Sequence, residues 1–340
     1  MKKTVFVGAL TAAATLVAGA ASATVLEEVQ ARGVLNCGVS TGVNGFSAPD
    51  SAGEWQGFDV AICRAVAAAV LKDPKKVKFV STTGQTRFTA LASGEIDLLA
   101  RNSTWTFSRD VDLKFTFAGI NYYDGQGFMI KKSMGVSSAK ELDGATVCIQ
   151  TGTTTELNLA DYFKTNNMKY EPVPIETNAE AQQQYLAGAC DAYTTDASGL
   201  AATRATFADP ENHIILPEII SKEPLGPLVA QGDDQWADIV RWTLNALVAA
   251  EEFGITSANI DELSKGTTNP EINRMLGSSE EDLGGMFGLD KEWSKRAIAA
   301  GGNYGEIFAA NIGESTPIGL ARGLNALWTQ GGLQYSPPFR

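Results

Sequence analysis

The chain has 340 residues, 44% of them hydrophobic and 19% charged, with a formal net charge of −12. That length exceeds one small core and fits two domains. The acidic balance, with no basic cluster, argues against nucleic acid and anionic lipid as partners.

The first residues read as an export signal. Lys2 and Lys3 precede an apolar stretch from Val5 to about Ala20, and Ala21-Ser22-Ala23 is a small-x-small cleavage site. Residues 1–23 are therefore expected to be a signal peptide, with Thr24 starting a soluble periplasmic chain. The alternative, a membrane anchor, is disfavoured: the stretch is short for a span, which needs ~20 residues, and Thr11, Thr15 and Gly19 interrupt it.

Strand and helix signals then alternate. A short helix is expected around Leu26–Ala31 and a buried strand over Val34–Val39. A helix over Phe58–Leu71 presents Val60, Ile62, Ala65, Val66, Ala69 and Val70, and Asp73-Pro74 ends it. Val77–Val80 reads as strand, Arg87–Ser93 as helix stopped by Gly94, and Ile96–Ala100 as strand. Such a β-α-β-α-β run marks a mostly parallel sheet with helices on its faces.

The rhythm returns further on. Tyr122–Ile130 is extended, and Ala145–Gln150 is a strand feeding a helix that runs to about Thr165. Glu171–Ile175, Ala192–Thr195 and His213–Leu216 read as strands, with helices at Asn178–Ala187 and Ala197–Thr206. Helices are also expected at Trp236–Glu251, Asp290–Ala299 and Thr316–Trp328, with looser structure from Ile260 and an irregular terminus.

Cys37, Cys63, Cys148 and Cys190 allow three disulfide pairings in an oxidising compartment. Cys37–Cys63 with Cys148–Cys190 is favoured, because each then joins a strand to a later element of its own half; four free thiols are the alternative. No CxxC is present. The sole histidine, His213, is expected at the surface or a strand edge, and one histidine rules out a multi-histidine metal site. Neither a metal nor a cofactor is expected.

Three segments carry candidate chemistry, each just beyond a predicted strand, where open α/β sheets bind ligands. In Arg101-Asn102-Ser103-Thr104-Trp105-Thr106-Phe107-Ser108-Arg109, the Arg109 guanidinium suits a carboxylate gripped by two parallel hydrogen bonds. A surface pair with Asp110 or Asp112 competes with that reading. In Thr151-Gly152-Thr153-Thr154-Thr155-Glu156, unpaired helix N–H groups and the Thr154 hydroxyl favour an anion, although Thr153 and Glu156 also fit a capping box. In Thr194-Thr195-Asp196, Asp196 either accepts from an ammonium or caps a helix. Together they suit a zwitterion, and with no base beside a nucleophile the set offers binding without turnover.

At these residues the chain resembles the polar amino-acid solute-binding proteins of ABC transporters (family 3), in particular their general L-amino-acid branch. The motifs are Gly57-Phe58-Asp59-Val60, Gly94-Glu95-Ile96-Asp97, Tyr122-Tyr123-Asp124-Gly125-Gln126-Gly127-Phe128, Gln150 to Glu156, and Tyr193-Thr194-Thr195-Asp196. The resemblance implies an α/β, type II periplasmic binding protein of two lobes. Residues 24–125 and 224–340 would form the first lobe with a C-terminal helical extension, and 126–223 the second, with hinge crossings near Tyr123–Phe128 and Ile219–Leu225. Closure of the lobes would trap the ligand.

It further implies that Arg109 holds the ligand α-carboxylate with Asn102, Thr104 and Thr154, and that Asp196 holds the α-ammonium. Phe46, Arg101 and Trp105 are candidates for the side-chain pocket, with burial in the core the competing reading for the aromatics. Val43 and Ser40 stand where binders of cationic amino acids carry a stacking tyrosine and an aspartate, which argues against lysine or arginine specificity. The implied function is broad L-amino-acid binding and delivery to an ABC permease, by a monomer. The rival is a secreted cyclohexadienyl or arogenate dehydratase-like enzyme on the same fold, for which Glu156 and Glu180 are the candidate acids, neither at a strand end.

Overall fold

The computed structural model describes residues 23–340, so the export signal expected over 1–23 falls outside it except for Ala23. Two five-stranded sheets organise the chain. The first runs, edge to edge, Val77–Ser81, Leu35–Val39, Leu98–Leu99, Leu228–Ala230 and Phe115–Phe117. The second runs Tyr170–Ile175, Ala145–Gln150, Ala192–Asp196, Gln126–Lys131 and His213–Ile215.

Each sheet has one strand running against the rest. In the first it is Leu228–Ala230, antiparallel to both neighbours; in the second it is Gln126–Lys131. Both reversed strands follow a crossing between the sheets, so the expected mostly parallel sheets are mixed in this one defined way. The crossings themselves, Tyr122–Asp124 and Glu223–Leu225, pair antiparallel as a two-stranded ribbon. They are the hinge.

Local chemistry explains the elements. Phe58–Leu71 forms the expected helix, apolar almost all round because the helices Asp234–Glu252 and Trp293–Ala299 cover it. Pro172 and Pro174 lie in Tyr170–Ile175, an edge strand, where a missing N–H costs no ladder bond. The disulfides are Cys37–Cys63 and Cys148–Cys190, with Cα atoms 6.2 and 5.5 Å apart, one in each half as favoured.

The C-terminal region departs from expectation. No α-helix forms over 316–328; that stretch holds the short 3-10 turn Gly323–Asn325, meets a second at Trp328–Gln330, and otherwise runs as loop stitched by the bridges Gly313↔Leu320 and Leu327↔Gln334. Helices do form at Pro270–Leu276 and Tyr304–Asn311. The second is announced by a reciprocal capping box between Asn303 and Glu306. The extension packs on the first lobe and reaches the hinge, where Asn325 accepts from the Tyr123 N–H (2.7 Å) and donates to its carbonyl (3.1 Å). His213 is at a sheet edge as expected, but it is buried, its ring bonded to the Tyr185 hydroxyl at 2.9 Å and packed on Phe207. Among the described residues, no helix is long and apolar enough to cross a membrane, and no cluster of metal-ligating side chains occurs.

Candidate functional site

A narrow polar cleft lies between the two sheets. One wall carries Ser40, Val43, Arg87, Arg101, Asn102 and Thr104; the other carries Gln150, Thr153, Thr154, Thr155, Asn178, Thr195, Asp196, Ser198 and Gly199. The lobes touch around it. Asn178 donates to the Gly42 carbonyl at 3.2 Å, and Arg87 reaches the Gly152 carbonyl at 3.4 Å. Gly84 meets Thr151 so closely that a Cβ on it would stand 2.4 Å from the Thr151 oxygen, which only glycine allows.

The loop after Leu98–Leu99 sets the first wall. Asn102 takes a left-handed backbone, φ +40°, a conformation asparagine tolerates better than most residues. Arg101 is buried and donates Nε–H to the Thr82 carbonyl at 2.9 Å. Burial, and then the neighbouring Arg109 charge, lower its pKa to about 10. Arg109 is also buried, and its Nη1 donates to the Thr104 carbonyl at 2.8 Å. It makes no ion pair with Asp110 or Asp112; Asp110 instead accepts from the Trp105 indole. Arg109 nevertheless stands behind Thr104 and is not on the cleft wall.

The second wall is built from helix starts. Thr153 caps the helix Thr154–Thr165, accepting from the Glu156 N–H at 3.2 Å. Glu156 does not return the bond to Thr153; it accepts from the Gly152 N–H, so the capping box is half formed. Asp196 ends its strand and starts Ala197–Arg204, yet its side chain makes no capping bond. The carboxylate is thereby left for the cleft. Its Oδ1 is buried without a hydrogen-bond partner, and so is the Nε of Arg87. Buried polar atoms are rarely left unpaired.

The cleft is electrostatically divided. Burial first, then the Arg101 and Arg109 guanidiniums, hold Arg87 well below the usual arginine range. Burial, then Asp124 and Glu223, raise Asp196 well above the usual carboxylate range. Burial likewise raises Asp124 to about 6. On the cleft wall itself, Arg87 and Arg101 face Asp196.

Of the residues expected from sequence, Arg101, Asn102, Thr104, Thr154 and Asp196 meet at this cleft. Phe46 does not: it is fully buried, edge-on to Phe58 and Tyr122 in the first-lobe core. Trp105 does not either, since its ring stacks on Phe117 and 39% of the residue faces solvent. Sequence reading missed Arg87 and Glu223. Arg87 had one signal: it opens the helix Arg87–Ala92, where a cation opposes the helix dipole and so serves something else. Ser40 and Val43, noted for what they replace, are both on the wall.

Two mixed α/β lobes on a two-stranded hinge, around a polar cleft, define a two-lobed solute-binding protein. The chain belongs to the bacterial extracellular solute-binding proteins, family 3, which match residues 35–258. It is 67% identical, over the full length of both chains, to the glutamate/glutamine/aspartate/asparagine-binding protein BztA of Rhodobacter capsulatus. It is 58% identical, again over both full lengths, to the general L-amino acid-binding periplasmic protein AapJ of Rhizobium johnstonii. A solved ABC-transporter periplasmic binding protein from Brucella ovis, with glutathione bound, shares 56% identity at a TM-score of 0.91, covering 94% of this chain and 100% of that one. The chain is a binding protein of this family, not an enzyme.

Proposed function

We propose that the chain binds free L-amino acids with broad specificity in the periplasm, after export by its N-terminal signal, and delivers them to the permease of an ABC transporter. Residues 24–125 with 224–340 and residues 126–223 act as the two lobes; the strand membership of the two sheets supports that division. The observation that carries the reading is the pair of buried, unpartnered atoms of opposite sign in one cleft, Arg87 Nε and Asp196 Oδ1. An α-amino acid supplies the matching negative and positive groups, and desolvating either ion without a partner costs several kcal/mol.

In this reading the carboxylate meets the guanidiniums of Arg87 and Arg101, with Arg109 behind Thr104, beside the start of the Thr154–Thr165 helix. The ammonium meets Asp196. Cations beyond the one that an α-carboxylate needs favour ligands with a second acidic or amide group, consistent with the ligands that the name of BztA gives. The dehydratase reading is not favoured: Glu156 is exposed, Glu180 caps its own helix through the Glu176 N–H, and neither lines the cleft.

Calorimetric titration of the purified protein with glutamate, glutamine, aspartate, asparagine and leucine tests the proposal. Saturable heat is expected with several of them, and none with glutarate, which lacks the ammonium. Binding of glutarate as tight as that of glutamate, or no binding of any amino acid, would overturn it.

A further inference from the structure

Glu223 lies in the hinge strand Glu223–Leu225 and is almost fully buried. All its hydrogen-bond partners are side chains, and they come from both sides of the hinge. Oε2 accepts from the Thr104 hydroxyl and, at 2.9 Å, from the Thr154 hydroxyl. Oε1 accepts from the Asn158 amide and the Ser221 hydroxyl, each at 2.6 Å.

Thr104 is fixed to the hinge on the first-lobe side: it bridges Leu225, and the next residue, Trp105, donates its N–H to the Pro224 carbonyl at 2.8 Å. Thr154 and Asn158 belong to the second lobe, one helical turn apart on the same face of Thr154–Thr165. Whichever lobe the hinge strand follows when the cleft opens, one set of these bonds breaks. A carboxylate satisfied by four neutral donors is well stabilised where it is, and each bond to a charged group is stronger than one between neutral groups.

The Thr104 and Thr154 hydroxyl oxygens, one from each side of the cleft, stand 3.3 Å apart over the Glu223 carboxylate.

We propose that Glu223 is a positioning residue that latches the two lobes around the ligand, tying Thr104 to Thr154 and Asn158, and that it sets the residence time of the bound amino acid. This rests on the amino-acid reading above. Glu223 is not itself on the cleft wall, and neither is Asn158. Their effect on binding would run through closure.

The test uses the full mature chain with L-glutamine as probe, by calorimetry and stopped-flow. Glu223→Ala is expected to weaken binding roughly ten- to a hundredfold, the loss of one or two charge-assisted bonds in the closed state. The change should fall on the dissociation rate, with association nearly unchanged. Asn158→Ala should raise the dissociation rate several-fold although it touches no ligand. Glu223→Gln, which keeps one carbonyl acceptor, should recover part of the loss. The double variant Glu223→Ala/Asn158→Ala should bind about as well as Glu223→Ala alone, since both remove the same link.

Additive losses in the double variant, unchanged dissociation in Glu223→Ala, or tighter binding would each overturn the latch. Tighter binding would mean that Glu223 competes with the ligand for Thr154. No binding of glutamine or any other amino acid by the unaltered protein would defeat the amino-acid reading instead, so the two failures are distinguishable.

Discussion

The two sides of the cleft differ in the sign of their buried charge. The first lobe brings Arg87, Arg101 and Arg109 into one cluster, each depressed by burial and by its neighbours or by burial alone. The second lobe and the hinge bring Asp124, Asp196 and Glu223 together, and their proximity helps to raise Asp196. Each side taken alone is strained by like-charge crowding and desolvation. Brought face to face they offset one another, and Arg87 and Arg109 both feel the carboxylates opposite. A two-lobed binder thus divides a dipolar site so that neither half is comfortable without the other or a guest between them. Direct interlobe salt bridges across the cleft are absent among the described residues. Arg87, Arg101 and Asp196, which line the cleft, are therefore available to a ligand.

The sharpest way to break this comparison is to neutralise its acidic side. Asp196→Asn keeps the shape and removes the charge expected to hold the ammonium. It should cost at least ~3 kcal/mol of affinity for every amino acid, because a buried ammonium loses its charged partner. Calorimetry against the same panel checks this. Retained affinity would show that Asp196 does not meet the ammonium.

The next effect tests the basic side. Arg87→Met keeps most of the volume and removes the guanidinium whose Nε has no partner. Glutamate and leucine should each lose about 2 kcal/mol of affinity, within the range for charge-assisted hydrogen bonds, because Arg87 is expected to meet the α-carboxylate that both carry. A loss for glutamate alone would place Arg87 at the ligand side chain instead.

Much of this was legible in the residues. The helices Phe58–Leu71 and Asn178–Ala187 and the strand Ala145–Gln150 match their expected bounds, because apolar runs there coincide with clear stops such as Gly188. Thr154 and Asp196 were found because ligand sites of α/β folds follow strand ends, and position after a strand is visible in sequence. What was not visible is direction. Phe46 and Trp105 belong to the right segments, but whether an aromatic faces core, solvent or cleft depends on partners distant in sequence, here Tyr122 and Phe117. Glu223 was hidden for the same reason. Its partners Thr104 and Asn158 are 119 and 65 residues away, and a lone acid between Lys222 and Pro224 carries no local pattern. The loop over 316–328 replaced an expected helix because its contacts are bridges and hinge bonds, which side-chain periodicity does not encode.

The smallest effect on binding, and the most telling for the fold, concerns a buried acid beside the basic cluster. Asp59 is buried, with Asn121 donating weakly to its Oδ1 at 3.5 Å and Oδ2 unpartnered. Burial raises its pKa to about 7, and Asn121, the Asn102 backbone and the Arg101 charge only partly oppose that. The native chain therefore keeps a proton that the unfolded chain releases near the ordinary carboxylate pKa of 3.8. Between about pH 4 and pH 7 the folded state binds more protons, so stability contributed by Asp59 is full below that window, falls as pH rises through it, and is flat above. Asp59→Asn removes the ionisable group and should remove this slope, up to about 1.4 kcal/mol per pH unit, leaving the variant relatively more stable at pH 8 than at pH 5. Urea unfolding of both proteins at half-unit pH steps measures the difference, while glutamine affinity at pH 7 should change little. A difference curve without slope in that window would mean that Asp59 is ionised in the folded chain, paired with Arg101, and that the basic side of the cleft already carries its own counter-charge.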